Sequence, residues 1–271
     1  MIPAMTTAAW PQRPFAQRLW RRLRTPWHIL HLGALVLALG LTPSTYRAPW
    51  RRVLSLHVVR ASLPLLAWFT LLSALLSVVV IRIVLVSAQS YGLSQVALEV
   101  VVRALVLELI PLAAAFAVAL RVTVPMAGEL AMARHQGRLS GDHAFGGDEL
   151  RGEIAPRALA GLFGVLLMAA VASAVALVLA YVMAHGLSPW ALERFTRMVG
   201  HVFSPAVSVV FVLKVSAMAL AVSVVPLGSA LHGRFGEGSL DALTGLELQG
   251  VVRMFVAMLL IELAALAGNY L

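Results

Sequence analysis

Five long apolar runs, each able to cross a lipid bilayer, restrict the fold of this sequence more than any other feature. They cover residues 61–88, 97–130, 157–183, 203–228 and 248–268. A hydrocarbon core roughly 30 Å thick requires about 20 predominantly apolar residues in a helix. Because 61% of the residues are hydrophobic and only 12% are charged, the runs predict an all-α integral membrane protein with five transmembrane helices.

The N-terminal region adds a shorter element to this plan. Residues 1–25 are rich in Pro, Gln and Arg and predict a basic cytoplasmic tail, followed by a single membrane domain over residues 26–271. Within that domain, the apolar stretch 27–41 is too short to span a bilayer and begins with amphipathic Trp and His. This pattern predicts a helix that lies in the membrane interface.

The positive charge of the chain predicts its orientation. Nine of the 21 basic residues lie before residue 61, and the net charge is +9. Basic residues are enriched in cytoplasmic segments, so we expect a cytoplasmic N-terminus and, after five spans, a periplasmic C-terminus. This distribution accounts for the charge without nucleic acid, which we do not expect as a partner. The chain has no cysteine, which excludes disulfides, thiol catalysis and Cys-ligated metals.

The second apolar run contains ionisable residues and prolines that are unusual in a membrane. As a continuous helix it would be about 50 Å long, so part of it must project, tilt or break. Arg121 and Glu129 are expected at the cytoplasmic end, as a structural pair or as anchors. Glu108 lies deeper, on the outer half, with Pro111 close after it. An intramembrane carboxylate is costly and marks either a functional site or a structural hydrogen bond to a neighbouring helix.

This run resembles the signature stretch of MlaE-type permeases, the membrane subunits of ABC lipid transporters that work with MCE proteins. Their pattern reads approximately R-E-L-G-P, A-G-R and A-E-L-G, and "LVLELIPLAAAFAVALRVTVPMAGELAMAR" keeps the spacing. The resemblance continues through "IAPRALAG", "VLKVSAMALAVSVVPLG" and "GEGS", over roughly residues 27–271. The matching positions are Glu108, Pro111, Ala119, Arg121, Glu129, Leu130, Asp148, Pro156, Arg157 and Lys214.

The sequence departs from the family pattern in two places. Leu107 replaces the arginine that precedes the glutamate. The cytoplasmic coupling segment, residues 131–156, contains "QGRLSGDHAFGGDE", in which only Leu139 and Asp148 hold the family pattern. Gly137 and His143 stand where glutamates are usual, so contact with an ATPase is expected to differ here.

The resemblance implies a permease that moves phospholipid between the inner membrane and a periplasmic MCE-domain protein and contributes to outer-membrane lipid asymmetry. It implies an ABC-type ATPase, a second copy of the chain and a STAS-domain regulator as partners, with no cofactor or metal and no catalysis by the permease itself. The lipid cavity would contain Glu108, Tyr91, Val80 and Ala88. The coupling or structural residues would be Arg121, Glu129, Leu139, Asp148, Pro156, Arg157 and Lys214.

Other interpretations of these residues remain open at this point. Tyr91 is also typical of an interfacial anchor, and Lys214 of a residue that pairs with a carboxylate or extends to the interface. The glycine-rich loop lacks the GK[ST] ending of an ATP site, and the histidines near it lack metal-site spacing. Two alternative functions are a structural subunit of a protein-export gate and a degenerate permease that serves as a scaffold.

Overall fold

A computed structural model of the chain describes residues 29–42, 48–92, 94–137, 150–232 and 240–270. All regular structure in these ranges is helical, which confirms the predicted all-α fold. Five helical stretches are long and apolar enough to cross a membrane, and a shorter apolar helix precedes them. In chain order the helices are α1 (Ile29–Leu41), α2 (Ala48–Gln89), α3 (Ser94–Val102), α4 (Ile110–Val118), α5 (Val124–His135), α6 (Ala155–His185), α7 (Leu192–Val202), α8 (Pro205–His232) and α9 (Leu240–Tyr270).

The first and last long helices begin earlier than the apolar runs that predicted them. Helix α2 begins at Ala48 rather than near residue 61, and α9 begins at Leu240 rather than near residue 248. In α2 the extension carries exposed arginines at positions 51, 52 and 60. Arginine lowers the local hydropathy but has a high helix propensity. The apolar run therefore predicted the membrane segment and not the full length of the helix.

Helix α1 packs one face against the ends of other helices. Leu32 and Val36 are fully buried in a cluster with Leu130 of α5 and Leu227 of α8. On its other faces leucines are exposed, including Leu41. One-sided burial of this kind is what a helix lying along the membrane surface requires.

The second span is one helical run in which the hydrogen-bond pattern changes twice. A π-helical segment, Arg103–Leu109, separates α3 from α4, and a second one, Ala119–Thr123, separates α4 from α5. A proline follows closely after each π-helical segment, Pro111 in the first case and Pro125 in the second. Short π-helical segments in α-helices are frequent at functional sites, and here they carry Glu108 and Arg121.

The centre of the bundle is built from closely packed helices with small side chains. Helix α6 packs along α2 and α8, and α8 packs along α9. A Cβ atom added at Gly161 of α6 would lie 2.6 Å from Cγ2 of Thr123 and 2.9 Å from Oγ of Ser223. Small residues allow membrane helices to approach closely. The buried alanines of α6 that serve the same purpose include Ala158, Ala160, Ala169, Ala172, Ala176 and Ala180.

A helix that the hydropathy pattern did not predict lies between α6 and α8. The segment 184–202 lies between the third and fourth apolar runs, and much of it forms α7. Phe195 and Val202 of this helix are buried, whereas Glu193 and Arg197 are exposed. Its polar residues lower the average hydropathy to that of a loop, and the apolar face becomes visible only at helical spacing.

Candidate functional site

Three ionisable side chains meet inside the membrane-spanning part of the bundle. Lys214 of α8 donates hydrogen bonds to the carboxylates of Glu108 and Glu262, and its Nζ lies 2.8 Å from Oε1 of Glu262. Nζ also donates to the main-chain carbonyl of Leu107 at 3.1 Å. An ammonium group has three N–H donors, so these three acceptors satisfy all of them. We call Glu108, Lys214 and Glu262 the ion cluster.

The members of the ion cluster are buried to different degrees. The Lys214 side chain is 1% exposed, whereas those of Glu108 and Glu262 are 18% and 14% exposed. An unpaired charge in an apolar interior costs several kcal/mol, and pairing offsets that cost for the lysine. The carboxylates therefore reach toward the surface of the chain while the ammonium lies beneath them.

The charges in the ion cluster do not balance. Two ionised carboxylates and one ammonium would leave a net charge of −1, so a proton or an additional cation is needed for neutrality. In the described part of the chain, Oε2 of Glu262 accepts no hydrogen bond, although it is buried. A buried oxygen without a donor is unfavourable, so this oxygen needs a proton or a further donor.

Pro111 explains part of this geometry. Proline has no N–H and cannot donate to the carbonyl four residues earlier in a helix. For Pro111 that carbonyl belongs to Leu107, which accepts from Lys214 instead. Leu107 itself is a buried core residue. The position at which the family pattern has an arginine therefore contributes its backbone, and not a charged side chain, to the ion cluster.

The sequence analysis did not identify Glu262. It placed Lys214 among the coupling or structural residues, with pairing to a carboxylate as one interpretation, and the structure confirms that pairing. Glu262 is a lone carboxylate in the last apolar run, and Lys214 is the only lysine of the chain. Either feature marks an intramembrane charge that needs a partner. Their pairing was not visible, because Lys214 is separated from Glu108 by 106 positions and from Glu262 by 48.

The other residues predicted for the lipid cavity lie in the C-terminal half of α2 or just after it. Tyr91 follows the end of that helix and is 78% exposed. Val80 and Ala88 are half-buried, and Val80 packs against the main hydrophobic core. Among the described residues, no hydrogen bond or ion pair joins these three residues to the ion cluster, so their part in a common cavity stays a prediction.

Arg121 and Glu129 do not pair with each other in the part of the chain that is described. Both are exposed and line a cavity of about 580 Å³ between α2 and the second span. The expected structural pair is therefore not formed, since each side chain faces this open space rather than the other. We call this space the basic groove; it is lined by Arg60, Pro64, Leu65, Trp68, Arg121, Val122, Pro125, Met126 and Glu129.

The predicted coupling residues are only partly within the described ranges. Pro156 lies in the first turn of α6, directly after a π-helical segment, Leu150–Ile154. Arg157 pairs with Glu153 at 2.9 Å. Leu139 and Asp148 lie outside the described residues. Before them, α5 ends at His135 and Gly137 adopts a positive φ of 71°, a conformation that glycine reaches without strain.

The comparison with known protein families agrees with this arrangement of helices and charges. The sequence model of a family described as Permease MlaE matches residues 54–267, a range that includes the whole ion cluster. The chain belongs to the MlaE permease family. No curated protein sequence matches this MlaE permease closely enough to count as a relative.

Membership of the family determines the general class of activity. The MlaE permease is the membrane subunit of an ABC transporter, and its ATPase is a separate partner. It is a multi-pass membrane protein and a transport subunit, not itself a catalytic enzyme. A subunit of a protein-export gate, the first alternative, is a different class of protein and is not supported.

Proposed function

We propose that this permease moves phospholipid between the bacterial inner membrane and a periplasmic MCE-domain protein, and thereby contributes to outer-membrane lipid asymmetry. The observation that carries the proposal is the ion cluster. Its two carboxylates are partly open to the surface within otherwise apolar spans. A lipid needs an apolar surface for its acyl chains and polar partners for its headgroup, and this part of the chain offers both.

The ion cluster supplies acceptors to a headgroup. Lys214 is enclosed by its three acceptors, so an arriving lipid meets Glu108 and Glu262 first. Hydroxyl and ammonium groups of a headgroup can donate to these carboxylates, and an ammonium also offsets the net negative charge. In this proposal Tyr91, Val80 and Ala88 form the apolar wall and mouth of the cavity, and a second copy of the chain closes it.

The proposed partners act at opposite ends of the bundle. Segment 131–156 and the N-terminus both lie on the cytoplasmic side, where the segment contacts the ABC-type ATPase. A STAS-domain regulator acts through that ATPase. The MCE-domain protein receives or delivers lipid on the periplasmic side. In support, Arg51, Arg60 and Arg121 lie toward the end proposed to be cytoplasmic, as expected from the enrichment of basic residues there.

The test is a comparison of Glu108→Gln with the matched control Glu193→Gln, an exposed carboxylate on α7. Glu108→Gln keeps the side-chain shape and leaves Lys214 paired with Glu262. We expect it to lower ATP-dependent lipid transfer in proteoliposomes about tenfold or more, since a charge-assisted hydrogen bond contributes about 1.5–3 kcal/mol. The control should transfer lipid at the wild-type rate.

The result separates transport from a scaffold role. Purification in mild detergent, followed by mass spectrometry, should recover an ABC ATPase, an MCE-domain protein and bound phospholipid with wild type. If wild type assembles with these partners but neither transfers nor retains lipid, the chain is a non-transporting scaffold. If Glu108→Gln loses expression and thermal stability rather than transfer, Glu108 is structural.

A further inference from the structure

The basic groove has a regular construction that the proposed transport site does not use. On α2, Arg60, Pro64 and Trp68 follow one another at intervals of four residues. On the second span, Arg121, Pro125 and Glu129 do the same. Residues four positions apart share one face of a helix, so each triplet forms a row. The two rows face the same cavity.

The side chains of this groove are available to a ligand. Arg60, Arg121 and Glu129 are exposed and take part in no ion pair among the described residues. Leu65 and Val122 are buried and form an apolar floor. A volume of about 580 Å³ lies within the usual range of ligand sites. The groove thus combines two cations, one anion and an apolar floor.

The rows also have a defined order along the membrane normal. Only a short turn joins α2 to α3, so α2 and the second span run in opposite directions. Counted from the turn near Tyr91, Arg60 and Arg121 are each about 30 residues away and therefore lie at a similar level. Glu129 is nearer the end that we propose to be cytoplasmic, and Trp68 lies deeper. Tryptophan is enriched at the level of lipid headgroups, and Trp68 is 67% exposed. The groove therefore opens at the membrane interface.

We propose that the basic groove binds the headgroup of a cytoplasmic-leaflet phospholipid that carries both a phosphate and a primary ammonium group, as in phosphatidylethanolamine. Arg121 and Arg60 hold the phosphate, and Glu129 accepts hydrogen bonds from the ammonium. The acyl chains lie along exposed leucines of α2 beyond Trp68. This site lies toward the end of the bundle that we propose to be cytoplasmic, whereas we place the ion cluster on the outer half. Lipid binding in the basic groove does not depend on transport.

The order of charges matches the order of groups in such a lipid. From the membrane outward, a phosphatidylethanolamine presents its chains, its phosphate and then its ammonium, and the groove presents Trp68, Arg121 and then Glu129. Arg121 and Glu129 are about 12 Å apart along a helix axis. A long arginine side chain extends toward water, which shortens this separation at the level of the guanidinium. Guanidinium groups bind phosphate in a bidentate manner.

The experiment measures lipid binding to the purified full-length chain by native mass spectrometry. The probes are phosphatidylethanolamine, phosphatidylglycerol, which lacks the ammonium, and phosphatidylcholine, whose ammonium has no N–H donor. Wild type should bind phosphatidylethanolamine about tenfold more tightly than either of the others. Soluble phosphoethanolamine should compete weakly, which distinguishes a membrane lipid from a free phosphate compound as the ligand.

Three variants test which side chain binds the ammonium and which binds the phosphate of the lipid. Glu129→Gln should abolish the preference for phosphatidylethanolamine and leave phosphatidylglycerol binding unchanged, whereas Arg121→Gln should weaken both about tenfold. The matched control is Arg253→Gln, an exposed arginine of α9 outside the basic groove, which should change neither. Thermal unfolding establishes that each variant is folded, and Glu129→Met, which also removes the carboxylate, replaces Glu129→Gln if that variant is not.

Several results would overturn the proposal. Equal binding of the three lipids by wild type excludes recognition of the ammonium. A preference that persists in Glu129→Gln excludes the assigned carboxylate. If Arg121→Gln leaves lipid binding intact but reduces co-purification of the ATPase, the basic groove is a protein contact and not a lipid site. If wild type binds phosphatidylethanolamine with the expected preference but shows no ATP-driven lipid transfer, the result supports this site and counts against the proposed transport function.

Discussion

Lys214 is the only lysine in a chain with 21 basic residues, and its side chain is enclosed within the membrane-spanning bundle. The difference from arginine is chemical. An ammonium is a compact charge with three donors, whereas a guanidinium is a planar fork suited to bidentate partners. The three acceptors around Nζ come from Glu108, Glu262 and the Leu107 carbonyl. These acceptors surround a single point, which a compact ammonium can occupy and a planar guanidinium cannot fill in the same way.

Removing the lysine charge should be more harmful than removing the whole ion cluster. Lys214→Met leaves two buried carboxylates without a cation and should lower the free energy of unfolding by about 3–5 kcal/mol, the usual effect of breaking a buried ion pair. Unfolding in detergent by a chemical denaturant measures this. The variant that also carries Glu108→Gln and Glu262→Gln should recover most of the loss. Wild-type stability of Lys214→Met alone would contradict the buried pairing.

Helix packing at the level of elements depends on a few small residues. Gly161 brings α6 against the second span and α8, at distances that leave no space for a Cβ atom. The neighbouring side chains, Thr123 and Ser223, are themselves fully buried and cannot withdraw. Tight packing of this kind makes even one added methyl group costly.

Two glycine substitutions should therefore have opposite effects. Gly161→Ala should destabilise the bundle by about 1–3 kcal/mol through overpacking. Gly200→Ala on α7, where a Cβ would have no neighbour within 4 Å, should be neutral or stabilise the helix by up to about 1 kcal/mol. Differential scanning fluorimetry in detergent compares the two. Equal unfolding temperatures for both variants would show that the helices adjust at Gly161.

Some elements were predictable from local composition and others were not. Apolar length alone was enough for the five long helices and for α1. The polar extension of α2 and the amphipathic α7 were missed. Hydropathy averaged over a window reports how apolar a segment is and not whether it is helical. Glu108 could be identified as unusual because charge in an apolar run is rare. Its partners on α8 and α9 depend on tertiary packing, which no local pattern encodes.

At the scale of the whole molecule, the distribution of charge implies one orientation in the membrane. Leu187, between α6 and α7, is 86% exposed and lies at the end proposed to be periplasmic. Gln136, after α5, is exposed at the opposite end. The two positions therefore report on opposite sides of the bilayer.

The absence of cysteine makes this orientation straightforward to test. In cells whose outer membrane is permeable to the reagent, a membrane-impermeant maleimide should label Leu187→Cys but not Gln136→Cys. Gln136→Cys should react only after the inner membrane is opened. The unsubstituted chain has no thiol and serves as the background control. The reverse labelling pattern would invert the proposed orientation.

The contact between Arg134 and α8 has a mechanical consequence. Arg134, in the last turn of α5, donates to the carbonyls of Ala230 and Leu231 near the end of α8. A displacement of the segment that follows α5 is thus applied directly to α8, whose axis leads to Lys214 about 25 Å away. Pro226 lies within that distance, and a proline lowers the stiffness of a helix. How far α8 bends at Pro226 therefore sets how much of a displacement at this end of the helix reaches the ion cluster.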